Sequence, residues 1–228
     1  ENEFCGVSCG IMDQFASAKG KKDHAILLDC ATLKYEYIPL KLDGYKLVLG
    51  NTKKKRSLGE SKYNERVSEC SEGLKILKRY LPDKMNLCEI TREEFEKYKN
   101  CIEDQTIRKR VTHVIYENDR VLKAVDALKR NDIKELGRLL VEANDSIRDL
   151  YEVTGKELDT MTAEAMKVEG VLGARMTGAG FGGCTVNIVP EDKVQLFIEQ
   201  VGKNYKEQTG ITPEFYVSDI GDGAREIV

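Results

Sequence analysis

The apolar positions along the chain change period several times, and each change marks an element. Residues 10–18 fit a short helix stopped by Gly20. "HAILLDC" is a continuous apolar run and "YEYIPL" alternates, so both predict strands. Asp43-Gly44 is a turn signal, and "YKLVLGN" after it predicts a third strand. Tyr63, Val67, Cys70, Leu74, Leu77 and Leu81 then recur at spacings of four and three. That spacing places them on one face of a helix, which Pro82 ends. Thr91 followed by Glu94 resembles a capping box for a short helix. Ile107, Val111, Val114, Ile115, Val121, Leu122, Val125 and Leu128 continue at helical spacing. Asn131-Asp132 interrupts, and Ile133, Leu136, Leu139 and Leu140 resume. More helix is expected over 146–168, broken near Thr154-Gly155. The tail reads strand, turn, strand ("CTVNIV", bounded by Pro190), helix over 191–208 and a last strand in "PEFYVSD". This is an α+β pattern and not a regular βα alternation. The expected division is into residues 1–43 and 44–228, at Asp43-Gly44.

Composition narrows the function classes. The chain has 228 residues, 41% hydrophobic and 33% charged, with a net charge of −3. That is the profile of a soluble globular protein, and it lacks the basic footprint of a nucleic-acid binder. The basic run at 53–56 reads as a solvated loop, with attraction of nucleotide phosphate the minority reading. No stretch approaches the roughly 18 apolar residues of a membrane helix, and no signal peptide is visible. The chain does not begin with Met and opens inside what reads as a motif, so a fragment is expected. Its seven cysteines form no CxxC pair and have two histidines for company. A zinc site is not expected, and most of the thiols are expected to act as small hydrophobes in a reducing cytosol.

The glycine-rich stretch at 173–189, "GARMTGAGFGGCTVNIV", carries the sharpest chemical question. Gly178, Gly180 and Gly183 spell GxGxxG. A dinucleotide fingerprint needs those glycines to open a helix, with an acidic residue about 20 positions on. Here a strand follows and that acid is missing. Nor does the chain contain the Gly-Lys-Ser/Thr of a Walker loop. Two readings remain: a hairpin turn needing positive φ, or a loop whose backbone N–H groups approach an anion.

"GARMTGAGFGGCTV" resembles the third signature motif of the GHMP sugar and metabolite kinases, in its galactokinase form. Three further stretches are similar to that family: "ENEFCGVSCGIMDQFAS" (1–17), "NTKKKRSLGESKYNERVSEC" (51–70) and "DGAREI" (222–227). The similarity runs along essentially the whole chain with the motifs in family order. The resemblance implies a ferredoxin-like C-terminal domain with added helices over 44–228. It also implies, over 1–43, the end of an N-terminal domain like domain 2 of ribosomal protein S5.

The resemblance also implies site residues. Asp13 would be the catalytic base that takes the proton of the sugar 1-hydroxyl; without the resemblance it reads as a first-turn carboxylate favoured by the helix dipole. Cys9 and Gly10 would offer backbone to the sugar. Tyr63 would bond the sugar through its hydroxyl while also serving the helix face. Gly178, Ala179, Gly180 and Phe181 would form a loop supporting the phosphoryl-transfer site, with Thr177 close by. Glu1 would hold Mg²⁺, a hard cation suited to carboxylate oxygen. ATP and galactose would be the substrates, in a cytoplasmic monomer. The family's sugar-gripping segment with its arginine, and its phosphate cradle, have no counterpart in these residues, so the isolated chain is expected to be nearly inactive. Ala143-Asn144 departs from the Ser-His of many galactokinases. An N-acetylgalactosamine or galacturonate kinase and a non-catalytic galactose sensor are the alternative readings.

Overall fold

A computed structural model describes residues 10–54 and 59–226, with side chains from Lys62 onward in the second segment. Helix α1 (Met12–Lys19) precedes two strands, β1 (His24–Leu28) and β2 (Tyr35–Pro39). These pair antiparallel, His24 opposite Pro39 and Leu28 opposite Tyr35, in a sheet of their own. Asp29 closes the connection, accepting from Ala31 N at 2.9 Å and from the Thr32 hydroxyl at 2.6 Å. This is the side-chain-to-backbone bonding that makes Asp a turn residue.

After Gly44, at φ +78, comes β3 (Tyr45–Asn51). It enters a second sheet with β4 (Gly173–Thr177), β5 (Cys184–Pro190) and β6 (Glu214–Ser218), in the order β4-β5-β3-β6 with every pair antiparallel. The helical middle of the chain joins β3 to β4, and helix α7 (Val194–Thr209) joins β5 to β6. This is the ferredoxin-like connectivity expected, with helices added to the first crossover. Val48, Val189 and Ala174 of the sheet pack with Met161, Ala165, Phe197, Val201 and Tyr205, all buried, in the main core. Met161 and Ala165 come from α6 (Lys156–Ala165).

The added helices have their own core. α2 (Gly59–Leu77), α3 (Arg92–Tyr98) and α4 (Gln105–Lys129) bring together Leu77, Phe95, Val111 and Ile115. The capping box is present: the Thr91 hydroxyl accepts from Glu94 N, and the Glu94 carboxylate from Thr91 N. Asp104 caps α4 through Thr106 N and Ile107 N. Asn131, at φ +56, and the cap Asp132 separate α4 from α5 (Ile133–Ser146), as the sequence break predicts. Among the described residues no helix is long and apolar enough to cross a membrane.

Three expectations fail. α2 ends at Leu77, the chain turning over 78–80, so Leu81 and Pro82 lie beyond the helix. Val67, expected inside, is 42% exposed, and Val121 and Leu122 of α4 are exposed as well. On α2 the inward turn is taken by Arg66, which is buried. Cys30 and Cys88 are exposed, and Cys70 and Cys101 only part-buried, so the thiols described are not mainly core hydrophobes.

The tightest join between the helices and the sheet is a glycine pair. A Cβ on Gly137 of α5 would lie 2.4 Å from Leu172 O, and one on Gly173 of β4 would lie 2.4 Å from Gly137 O. Alanine is intrinsically the better helix former by about 1 kcal/mol, so Gly137→Ala sets propensity against overlap. We expect overlap to win, with a net loss of about 1–3 kcal/mol. Urea unfolding measures it; an unchanged or raised midpoint would mean the backbones separate freely.

Candidate functional site

The glycine-rich segment is the connection of the β4–β5 hairpin. Gly178, Gly180, Gly182 and Gly183 all have positive φ, from +83 to +117, and Phe181 has φ +57. Such a string of left-handed positions is open to glycine at little cost and to other residues at about 1–2 kcal/mol each. A strand follows it, so no helix N-terminus stands ready for a pyrophosphate. Three neighbours brace the loop. Phe181 N donates to Val153 O at 2.7 Å. Gly183 O accepts from both the backbone and the hydroxyl of Thr52, at 2.9 and 2.7 Å. Gly182 lies so near Lys54 that a Cβ would come within 2.9 Å of its carbonyl. The Phe181 ring packs with Ile147, Val153, Leu158 and Met176. Phe181 is therefore the loop's anchor, while Gly178 and Ala179 keep their backbone at the surface.

Val153, the loop's partner, follows an irregular helix end. After α5 the chain makes a π-helical turn (Ile147–Tyr151), then reverses at Glu152, φ +56 and ψ +51, whose N–H donates to Ile147 O at 2.7 Å. A helix end leaves carbonyls without intrahelical partners. Here two buried arginines take them. Arg66 of α2 donates Nε to Tyr151 O at 2.7 Å and Nη2 to Glu152 O at 3.3 Å. Arg110 of α4 donates Nη1 to Leu150 O at 2.5 Å. Their remaining donors reach carboxylates: Arg66 Nη1 and Arg110 Nε share Glu69 Oε2, at 2.9 and 3.0 Å, and Arg110 Nη2 meets Glu152 Oε2 at 2.8 Å. The bonds from Arg110 and Lys109 hold the Glu152 carboxyl down at about 2. Burial opposes the Arg110 charge, but Glu152 and Glu69 outweigh it and raise its pKa.

This arrangement explains α2. Arg66 is 4% exposed and sits where a hydropathy reading places Val67. Tyr63, one turn earlier and half-buried, lies within electrostatic reach of Tyr151, whose hydroxyl is pushed up mainly by burial. The turn at 147–153 is a junction to which the glycine loop is bonded through Val153. His113 of α4 completes that junction. It is 6% exposed, stacks on Tyr151 at 4.6 Å between centroids, and has Nδ1 2.9 Å from Ser146 Oγ. Burial pulls its pKa down to about 4.

Asn144, at the departure from the Ser-His pair, has a structural task. It is 5% exposed, its Oδ1 accepts from Met176 N at 3.1 Å, and its Nδ2 donates to the Thr162 hydroxyl at 3.3 Å. It ties α5 to β4 and α6.

Asp13 occupies the first turn of α1 and is exposed. Its helix buries no side chain. The Phe15 ring meets Tyr35 edge-on at 5.2 Å, and the Tyr37 hydroxyl donates to Lys19 O at 2.7 Å. Gly10 is exposed, and a Cβ there would meet nothing within 4 Å. Glu1 and Cys9 lie outside the described residues. Among the described residues no group of three or more His, Cys, Asp or Glu side chains could hold a metal ion. The basic run is partly committed: Lys53 pairs with Glu214 at 3.0 Å and Lys54 with Glu157 at 2.7 Å.

Residues 124–207 match the family model described as GHMP kinases C terminal. A galactokinase of Clostridium beijerinckii is 55% identical over 227 residues, covering 100% of this chain and 58% of that protein. One of Fusobacterium nucleatum is 53% identical with the same coverage. The crystal structure of Lactococcus lactis galactokinase complexed with galactose matches at a TM-score of 0.94 and 46% identity, over 99% of this chain and 58% of that one. The chain thus spans under two thirds of the length of these relatives.

Two outcomes are expected at the junction. Gly180 has φ +84, and a Cβ there would lie 2.1 Å from Val153 O. Gly180→Ala is therefore expected to lower stability by at least about 2 kcal/mol in denaturant titration. A variant as stable as the parent would mean that the loop is not tied to Val153. His113 titrates near 6.5 when unfolded and at about 4 when folded. As pH falls from 6.5 to 4 the unfolded chain takes up a proton that the folded ring refuses, so stability drops, by up to about 3 kcal/mol. The Glu152 contribution is lost lower, as pH falls from 4.5 towards 2. Urea midpoints between pH 7 and 4 should fall less steeply in His113→Gln; equal slopes would assign the acid sensitivity elsewhere.

Proposed function

Starting from a chain that carries the GHMP kinase C-terminal fold and is a homologue of galactokinases along its whole length, we propose that it forms part of a galactokinase. The observation that carries this reading is the match to the galactose-complexed Lactococcus lactis structure, at 46% identity over 99% of the chain. The reaction moves the γ-phosphoryl of ATP to the 1-hydroxyl of galactose. Asp13 takes the hydroxyl proton as O1 bonds to the γ-phosphorus; the bond from that phosphorus to the β–γ bridging oxygen breaks, and ADP leaves. A sugar hydroxyl is a poor nucleophile, and a carboxylate in hydrogen-bond reach of it supplies about 10²–10⁴ in rate. Asp13 lies exposed in the first turn of α1 among the described residues, which supports this reading.

The other residues position. Tyr63 is proposed to bond the sugar through its hydroxyl, and Cys9 and Gly10 to offer backbone to it. Gly178 and Ala179, with backbone at the surface, and Gly180 and Phe181, which hold the loop to Val153, support the phosphoryl-transfer site from beside it. Mg²⁺ is proposed to enter with ATP, with Glu1 as its carboxylate ligand; when bound it would neutralise charge on the transferring phosphate. A cytoplasmic location is proposed, on the composition of the chain: its seven cysteines are an odd number with no CxxC pair. A monomer is the proposed state.

The test uses the protein at the length of its relatives. ADP release with Mg-ATP is compared for galactose, N-acetylgalactosamine and galacturonate. We expect turnover with galactose and a fall in kcat of about 10²–10⁴ in Asp13→Asn. Preferential turnover of either other sugar would change the substrate. Galactose binding without turnover would replace the enzyme by a sensor.

A further inference from the structure

The C-terminal segment lies along α1. Residues 219–224 leave β6 as an extended strap and run beside 17–23. Ala224 N donates to Ser17 O at 2.7 Å, Gly223 N to Gly20 O at 2.8 Å, and Lys22 N to the Asp222 carboxylate at 2.9 Å. Gly20 and Gly223 touch through bare backbone. A Cβ on Gly223 would stand 2.6 Å from Gly20 N and 2.7 Å from Ser17 O; one on Gly20 would stand 2.9 Å from Gly223 N. Neither glycine has positive φ, so both are needed for space and not for backbone conformation. At its other end the strap is fixed to the four-stranded sheet, where Lys46 of β3 meets Asp219 at 2.8 Å and Glu191 at 3.6 Å.

We propose that this strap is a positioning element for Asp13: the Gly20–Gly223 contact sets where α1 stands relative to the sheet that carries the glycine loop. The inference rests on the reading of Asp13 as the base. α1 is two turns long, and the strap's backbone bonds to Ser17 O and Gly20 O fix its C-terminal end. Asp13 sits at the end of α1 away from the strap, so a shift or tilt at Gly20 is carried rigidly to its carboxylate. Strap and glycine loop share one support. Lys46 lies on β3, and Thr52, just past the end of β3, holds the loop through Gly183 O. Gly20 and Gly223 do not touch substrate in this proposal; they act through the helix.

The experiment compares Gly223→Ala, Asp222→Ala and Asp13→Asn in the full-length protein. Gly223→Ala forces the strap off Gly20. A base misplaced by about 1 Å costs up to about 100-fold, so kcat should fall 10- to 100-fold with KM for galactose little changed. Asp222→Ala loses one hydrogen bond without overlap and should fall less, in the same direction. Hydrogen exchange supplies the readout that a merely structural role would not give. Protection should drop at α1 amides, Phe15 and Gly20 among them, and stay unchanged in β3 and β5. The proposal is overturned if Asp13→Asn loses turnover while Gly223→Ala keeps full kcat and α1 protection. It is equally overturned if protection is lost throughout the molecule with turnover per folded molecule unchanged. Full activity in Asp13→Asn would instead sink the reading of Asp13 as base, and local exchange at α1 would still report whether the strap holds that helix.

Discussion

The helix end at Leu150, Tyr151 and Glu152, held by the guanidiniums of Arg66 and Arg110, is the constraint on which the site's architecture depends. Its logic is one of satisfied groups. The last carbonyls of a helix have no intrahelical partners, and each one shielded from water and left unpaired costs roughly 1–3 kcal/mol. Burying two guanidiniums to meet them would itself be costly if their remaining N–H groups had no acceptors. Glu69 resolves this by accepting from both arginines with one oxygen, and Glu152 completes the set from the segment being held. The result ties α2, α4 and the end of α5 at one point. The left-handed Glu152 can persist there because its neighbours over-determine it.

The glycine loop inherits its position from that point. Val153 is the residue after Glu152, and its carbonyl receives the Phe181 N–H. On the other side Thr52 and Lys54, just past β3, close on Gly183 and Gly182. The loop is squeezed between two backbones, which is why it needs several glycines where a simple hairpin needs one or two. What remains free is the short surface arc of Gly178 and Ala179. The arc is short and glycine-containing, and the residues that follow it are fixed by the backbone bonds to Val153 and Thr52.

Much of this frame was legible in the sequence, and the parts that were not share a cause. The strands β1 to β6 and the capped helix α3 follow from period and turn residues, because those signals are local. The failures concern partners distant in sequence. Hydropathy puts Val67 inside and Arg66 outside; the structure reverses them, because Tyr151 O, 85 residues on, needs a donor. The burial of His113 depends in the same way on Tyr151 and Ser146. A signal did exist: Arg66, Glu69 and Tyr63 share one helical face, and a charged pair among apolar positions at helical spacing hints at a buried pair. The literal GxGxxG shows the converse, a local pattern that misleads until the following strand is considered. Asp13 has no local signature beyond a first-turn carboxylate; it was singled out only by resemblance to a family.

The two halves of the proposed site are built on different physical terms. Gly180 and Phe181 of the glycine loop are held to the close-packed part of the molecule, through Val153 and the small core around it. Asp13 belongs to a two-turn helix with no buried side chain, set beside a two-stranded sheet that is separate from the main one. Placement governs the proposed phosphoryl transfer, so both supports bear on it. Among the described residues, polar and backbone contacts hold the Asp13 side. They are directional where burial is not, so a few of them can orient a small helix that they could not by themselves fold.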